Sequence, residues 1–368
     1  STNPLWLDGH RSLASLRGQM GEDPLASLGA ALARHPRAHE LHHLAISLAL
    51  QARDLPRAAA AASQAQAVLG AQRWLSLMIG HIASESGALD AADPHFATAG
   101  PPADANEAWM YARHLIRRNQ PGPAAALLEP RVSQPGALAL WPYLSLAWRM
   151  TGDPRARWLE GDAALVGVYD IGLTPEELAA LAAHLRGLHH AKAAPLDQSV
   201  RGGTQTDGNL LLRVEPPIRD LKARLLAIVA QHIAQLPPPE AGHPTLPADR
   251  APVRIAGSWS VRLENAGFHT DHVHPQGWFS SALYVALPET LGAGQSGGAD
   301  DHAGWLSLGE ARDLVPGLAP LQLIEPKPGR LVLFPSTMWH GTRPFPQGER
   351  LTVAFDIARP RPAHALQD

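Results

Sequence analysis

The spacing of apolar positions divides the chain in two. Up to about residue 195, Ala and Leu recur at helical intervals, and the stretches break at Pro, Gly or Asp, which predicts helices joined by short turns. In the run Leu41-His42-His43-Leu44-Ala45-Ile46 and on to Leu50, an apolar stripe ends near Asp54-Leu55-Pro56 and resumes in an Ala-rich stretch, so two helices fit back to back. The pattern returns at 141–148, followed by Thr151-Gly152-Asp153-Pro154 and another helical stretch. A helix, a tight turn and an Ala-rich helix, used repeatedly, form the unit of a helical solenoid. From about residue 200 the texture changes to short runs of Val, Leu, Trp and Phe separated by Gly and Pro, which predicts strands. Strands are expected at 258–263, 279–287, 321–324, 330–334 and 351–357, and short strands so spaced suggest a sandwich or barrel. One helix interrupts them over 218–236, where Ile218, Leu221, Leu225, Ile228, Val229 and Ile233 make one apolar stripe. The Gly-rich stretch 292–304 reads as a mobile loop.

The fold class expected is therefore α+β: a helical-repeat domain over 1–198, then a β domain over 199–368. A length of 368 residues agrees with two domains of roughly 100–200 residues each. With 31 basic and 34 acidic residues the net charge is −3, a balance that makes neither nucleic acid nor an anionic membrane a natural partner. No cysteine is present, so disulfides, thiolate metal sites and a cysteine nucleophile are excluded, and any metal must sit on nitrogen and oxygen. No stretch reaches about 18 uninterrupted apolar residues, and Ser1-Thr2-Asn3-Pro4 opens no targeting pattern, so a soluble cytoplasmic protein is expected.

Candidate chemistry concentrates in His269-Thr270-Asp271-His272-Val273-His274-Pro275. Residues two apart on a strand share a face, so His272 and His274 can converge on one ion, and so can His269 and Asp271. Downstream an apolar strand turns at Pro335 and delivers His340 just past its end, and Arg350 and Thr352 follow on another strand. Three protein ligands on one face of Fe(II) leave the opposite face open for a bidentate oxo-acid and dioxygen. A planar guanidinium then suits the far carboxylate of 2-oxoglutarate, which makes Arg350 the anchor and the Thr352 hydroxyl a second donor.

Four segments carry a family resemblance: Arg201-Gly202-Gly203-Thr204-Gln205-Thr206; His272-Val273-His274-Pro275 leading into Ser280-Ser281-Ala282-Leu283-Tyr284-Val285; Phe334-Pro335-Ser336 through His340; and Glu349-Arg350-Leu351-Thr352. On these, the C-terminal half resembles the 2-oxoglutarate and Fe(II)-dependent oxygenases of the double-stranded β-helix (jelly-roll, cupin-like) fold, in the bacterial group whose catalytic domain follows tetratricopeptide repeats. Residues 8–170 resemble a degenerate tetratricopeptide array. The resemblance implies Fe(II) and 2-oxoglutarate as cofactor and co-substrate. Most relatives use His-x-Asp or His-x-Glu as the first pair, so two registers compete. His269 and Asp271 would complete a two-His, one-carboxylate triad; His272 and His274 would make three imidazoles with His340. In the prolyl hydroxylases to which this segment is similar, a Gly precedes the first ligand by the interval separating Gly267 from His272, and the His-x-His-Pro pattern also matches. The three-His register is favoured, which leaves His269 and Asp271 behind the ligands or facing substrate, with Asp271 able to orient an imidazole N–H.

Trp278 and Tyr284 are candidate pocket walls, while Trp339 reads as core. The Arg201–Thr206 run lacks the Lys and following helix of a phosphate loop and is expected at an edge or lid. His42-His43 and His189-His190 are adjacent on helices, point apart and read as ordinary surface or groove histidines. The leading function is thus hydroxylation of a carbon on a peptide, protein or small molecule, with no catalytic group needed beyond the metal ligands. Alternatives are a three-His iron enzyme of cupin type that does not use 2-oxoglutarate, and a helical interaction scaffold with a degenerate oxygenase domain.

Overall fold

A computed structural model describes residues 3–193, 195–196, 198–288, 291, 302–345 and 347–360. Most of the loop expected at 292–304 lies outside the described residues. The chain forms two compact units, 1–128 with 192–198, and 129–191 with 199–368.

The first unit is helical: Leu7–Gln19 (α1), Ala26–Arg34 (α2), His39–Gln51 (α3), Leu55–Leu69 (α4), Arg73–Glu85 (α5), Leu89–Ala99 (α6), Ala105–Arg117 (α7) and Pro121–Leu128 (α8). Helix pairs α3/α4, α5/α6 and α7/α8 pack together across short turns. Their starts are set by side-chain caps: the Asp54 carboxylate accepts from Arg57 N at 3.0 Å and Asp104 from Glu107 N at 2.9 Å, satisfying amides that the first turn leaves open. Leu41, Leu44, Ile46, Ala58, Ala62 and Leu75 are among the side chains that fill the shared interior. His42 departs from the surface role expected of it: it is buried, with Nε2 2.8 Å from the Pro36 carbonyl.

The second unit holds Trp141–Thr151 (α9), Arg155–Glu160 (α10), Gly167–Asp170 (β1), Pro175–Arg186 (α11), Val200–Gln205 (β2), Pro216–Gln235 (α12), Ile255–His269 (β3), Gly277–Ala286 (β4), Leu306–Leu308 (β5), Gln322–Ile324 (β6), Arg330–Pro335 (β7), His340–Thr342 (β8) and Glu349–Ala358 (β9). An antiparallel six-stranded sheet runs β1-β7-β4-β9-β3-β2, and a three-stranded sheet runs β6-β5-β8. Helices followed by antiparallel sheets give the α+β class expected. Arg201–Gln205 does lie on an edge strand. There Gly203 allows close approach, since a Cβ would meet the Arg262 carbonyl oxygen at 2.2 Å.

The division of units differs from the boundary expected at 198, and the reason is local. Gly167-Val168-Tyr169-Asp170 is no helix but an edge strand paired with β7, and Tyr169 reaches His232 Nδ1 at 2.9 Å. The aromatic start of α9 packs in the same unit: the Trp339 indole donates to the Pro142 carbonyl at 3.0 Å and meets the Tyr143 ring edge-on at 5.5 Å.

Period-two alternation sorts the strands' side chains onto two faces. Leu283, Val285, Leu331, Leu333, Leu351, Val353, Phe355 and Ile357 pack with α11 and α12. Tyr284, Val332 and Phe334 instead pack with Leu306, Leu308 and Ile324 of the smaller sheet. By the same parity Arg350, Thr352, Ala354 and Asp356 share the face toward the smaller sheet. That inner face holds the site.

Candidate metal centre

The ligand segment is not itself in a regular strand. Beyond β3 the chain bends, and His272 forms an isolated antiparallel bridge with His340, donating to its carbonyl at 2.9 Å and accepting from its amide at 3.0 Å. The His274 amide then donates to the Ser336 carbonyl at 2.8 Å. These bonds fasten the His-x-His segment to the stretch that delivers His340.

Each ring is also fixed by its Nδ1. His272 Nδ1 lies 2.8 Å from the Thr270 carbonyl, His340 Nδ1 3.0 Å from the Met338 carbonyl and His274 Nδ1 2.8 Å from Asp356 Oδ2. A carbonyl or carboxylate oxygen only accepts, so each Nδ1 carries the proton and each Nε2 keeps its lone pair. The three potential ligand atoms fall within 4.8 Å of one another, the only such three-residue group among the described residues. Burial, with the neighbouring imidazoles adding to it, holds His272 and His340 well below the ordinary histidine range, so both stay neutral and able to ligate.

The competing pair is otherwise engaged. The Asp271 carboxylate is buried and gripped by Arg312, whose backbone N donates to Oδ2 at 2.7 Å and whose Nε donates to it at 2.8 Å, with Nη2 on Oδ1. Asp271 therefore orients no imidazole, contrary to the sequence expectation; a buried carboxylate is taken by the cation that best neutralises it. Gly341 makes the room, because a Cβ there would lie 2.2 Å from Asp271 Oδ1. His269, at the end of β3, places Nδ1 2.9 Å from Ser199 Oγ, which is 3.1 Å from His272 Nε2. It thus stands one hydroxyl removed from the cluster.

Arg350 is 2% exposed, yet among the described residues no carboxylate pairs with it. Its Nη1 donates to Thr342 Oγ1 at 2.9 Å and its guanidinium lies 5.0 Å from the Tyr284 ring centre. Among the described residues, Arg350 Nε and the Tyr284 hydroxyl are both buried without a hydrogen-bond partner, and Thr352 Oγ1 makes a long contact, 3.5 Å, to the Val261 carbonyl. A desolvated cation with open donors beside it is costly unless an anion joins it.

Trp278 does not wall this pocket. The β4–β9 register shifts between Gly277 and Phe279, and this irregularity turns Trp278 to the helix side, where its indole donates to the Thr245 carbonyl at 2.9 Å. Two aromatics stand beside the cluster: Phe334, its ring centre 4.7 Å from that of His340, and Trp259, paired across β3/β9 with Ala354, its ring centre 5.8 Å from that of His274. Sequence reasoning missed Trp259, Asp356, Thr342 and Arg312. Asp356 was reachable, since it shares strand parity with Arg350; Arg312 sits in a loop with no pattern to mark it.

A family model described as "Putative 2OG-Fe(II) oxygenase" matches residues 257–356, a span that includes all three clustered histidines, Arg350, Thr352 and Asp356. Comparison with curated proteins gives no match. Similar solved structures include a Pseudomonas putida prolyl-4-hydroxylase (18% identity, 56% of this chain and 100% of that one, TM-score 0.34). A 2OG-Fe(II) oxygenase family oxidoreductase from Burkholderia pseudomallei is also similar (15% identity, 62% and 92%, TM-score 0.34). A third is HygX from Streptomyces hygroscopicus with nickel, 2-oxoglutarate and hygromycin B bound (14% identity, 55% and 85%, TM-score 0.36). Over residues 257–356, then, the chain is similar to the 2OG-Fe(II) oxygenase family.

Proposed function

We propose that this domain hydroxylates a carbon centre, with His272, His274 and His340 holding Fe(II) through Nε2 and Arg350 anchoring 2-oxoglutarate. The observation that carries the reading is the pairing of a three-imidazole cluster, every Nδ1 already committed, with a buried guanidinium that lacks an anion. When bound, Fe(II) with 2-oxoglutarate supplies the oxidising power drawn from dioxygen. The protein's work is placement. Thr270, Met338 and Asp356 fix the three rings, Arg350 and Thr342 offer donors to the distal carboxylate, and Thr352 and the Tyr284 hydroxyl stand ready as further donors. Phe334, its ring 4.7 Å from that of His340, and Tyr284 line the inner face with apolar surface that keeps water out. Hydrogen abstraction from carbon requires no general base, and none is assigned.

The buried, unpaired Arg350 favours this over a three-His enzyme without an oxo-acid, which would leave the cation uncompensated. We further read the helix pairs beginning at His39, Arg73 and Ala105 as tetratricopeptide-like repeats able to recruit a peptide or protein substrate. The test is succinate release from 2-oxoglutarate by the full chain with Fe(II) under air. Turnover that vanishes in His340→Ala and needs a much higher 2-oxoglutarate concentration in Arg350→Ala supports the reading. Tight metal binding with no succinate formed, and no 2-oxoglutarate binding, would sink it in favour of the alternative.

A further inference from the structure

Among the three imidazoles one is treated differently. His272 and His340 donate from Nδ1 to neutral carbonyls, whereas His274 donates to a carboxylate, Asp356 Oδ2, at 2.8 Å. Asp356 is itself held. Its Oδ1 accepts from Ser280 Oγ at 2.7 Å, Ser280 Oγ lies 2.9 Å from Ser336 Oγ, and both serines are buried. Among the described residues no Lys or Arg pairs with Asp356. Ser336 also accepts the His274 amide through its carbonyl, so one short segment fixes both the backbone of His274 and the partner of its ring.

Open Fe(II) sites in oxygenases commonly combine two imidazoles with one carboxylate. Three imidazoles leave such a site one negative charge short, and the shortfall falls where the acid would stand, at His274. We propose that Asp356 is a positioning residue that returns this charge to the centre from one hydrogen bond further out. It locks His274 as the Nδ1–H tautomer and makes its Nε2 a stronger donor to the metal, as outer carboxylates do for ligating histidines. The inference rests on reading His272, His274 and His340 as the ligands.

The experiment is anaerobic titration of the full chain with Fe(II) alone, repeated with Co(II) to read the ligand field from its visible spectrum. Asp356→Asn keeps the size and an acceptor oxygen but removes the charge. Its metal affinity should fall about 10–100-fold with an altered Co(II) spectrum, while metal-free melting stays near that of the parent. A second variant guards against misfolding: Asp356→Glu keeps the charge and should retain more of the parent's metal affinity and Co(II) spectrum than Asp356→Asn. Unchanged Fe(II) affinity in Asp356→Asn, or an Asp356→Glu variant no better than Asp356→Asn, overturns the role of Asp356 while leaving the three ligands standing. If the parent chain binds no Fe(II), the ligand reading itself fails and this inference falls with it.

Discussion

On the proposed reading, Arg350 costs stability until 2-oxoglutarate arrives. A guanidinium buried on β9 with a hydroxyl and an aromatic face as its named partners pays a desolvation penalty that only an anion offsets. Arg350→Gln should therefore leave the melting temperature of the ligand-free chain unchanged or raised, while abolishing the rise that 2-oxoglutarate produces in the parent. Charge-assisted hydrogen bonds of roughly 1.5–3 kcal/mol translate into a 2-oxoglutarate KM raised about 10–100-fold, with Fe(II) affinity little altered. Glu160 gives a second residue-scale prediction. Its carboxyl is pushed up to about 7 by burial, against the opposing effects of the Ser145 hydroxyl and Arg149. The folded state then binds this proton more tightly than the unfolded one. Its contribution is fully present below the unfolded carboxyl range, shrinks as pH rises and is lost above about 7. Melting curves of Glu160→Gln should accordingly gain on the parent between pH 5 and 8; a gap that stays constant or reverses contradicts the assignment.

At the scale of elements, alternation on β9 does two jobs. Leu351, Val353, Phe355 and Ile357 face the helices, while Arg350, Thr352 and Asp356 face the site, so packing on one side fixes the chemistry on the other. Phe355→Ala should cost about 3–5 kcal/mol in denaturant unfolding and lower metal affinity with it, whereas Val168→Ala, on the exposed side of β1, should cost little. This alternation is also why much of the candidate site was legible in the sequence. The strand at 351–357, the turn that delivers His340 and the order of the histidines all follow from local pattern, and the described strands agree with them. What was not legible came from distant or irregular features. The register shift that turns Trp278 away depends on how β4 meets β9, and the Arg312 grip on Asp271 joins residues far apart in the chain. The internal spacing of the His269/Asp271 and His272/His274 pairs is the same, so the sequence favoured the second register only through the Gly267 interval and the His-x-His-Pro pattern of the family it resembles.

For the whole molecule, the boundary matters most. Residues 129–191 supply β1 to the edge of the large sheet and the α9 aromatics that cover Trp339, so they fold with the β strands rather than with the helix pairs. No helix among the described residues is long and apolar enough to cross a membrane. A fragment beginning at residue 129 should express as a folded, metal-binding protein. One beginning at 199 exposes the β7 edge and Trp339 and should aggregate, an outcome that light scattering and metal titration can read. Which atoms hold the iron is read most directly from an anaerobic crystal structure with Fe(II) and 2-oxoglutarate, phased on the iron edge. The Nε2 atoms of His272, His274 and His340 should lie within about 2.3 Å of the ion, with the distal carboxylate of 2-oxoglutarate on Arg350. An ion bound by Asp271 or His269, or an oxo-acid that does not reach Arg350, would contradict this assignment.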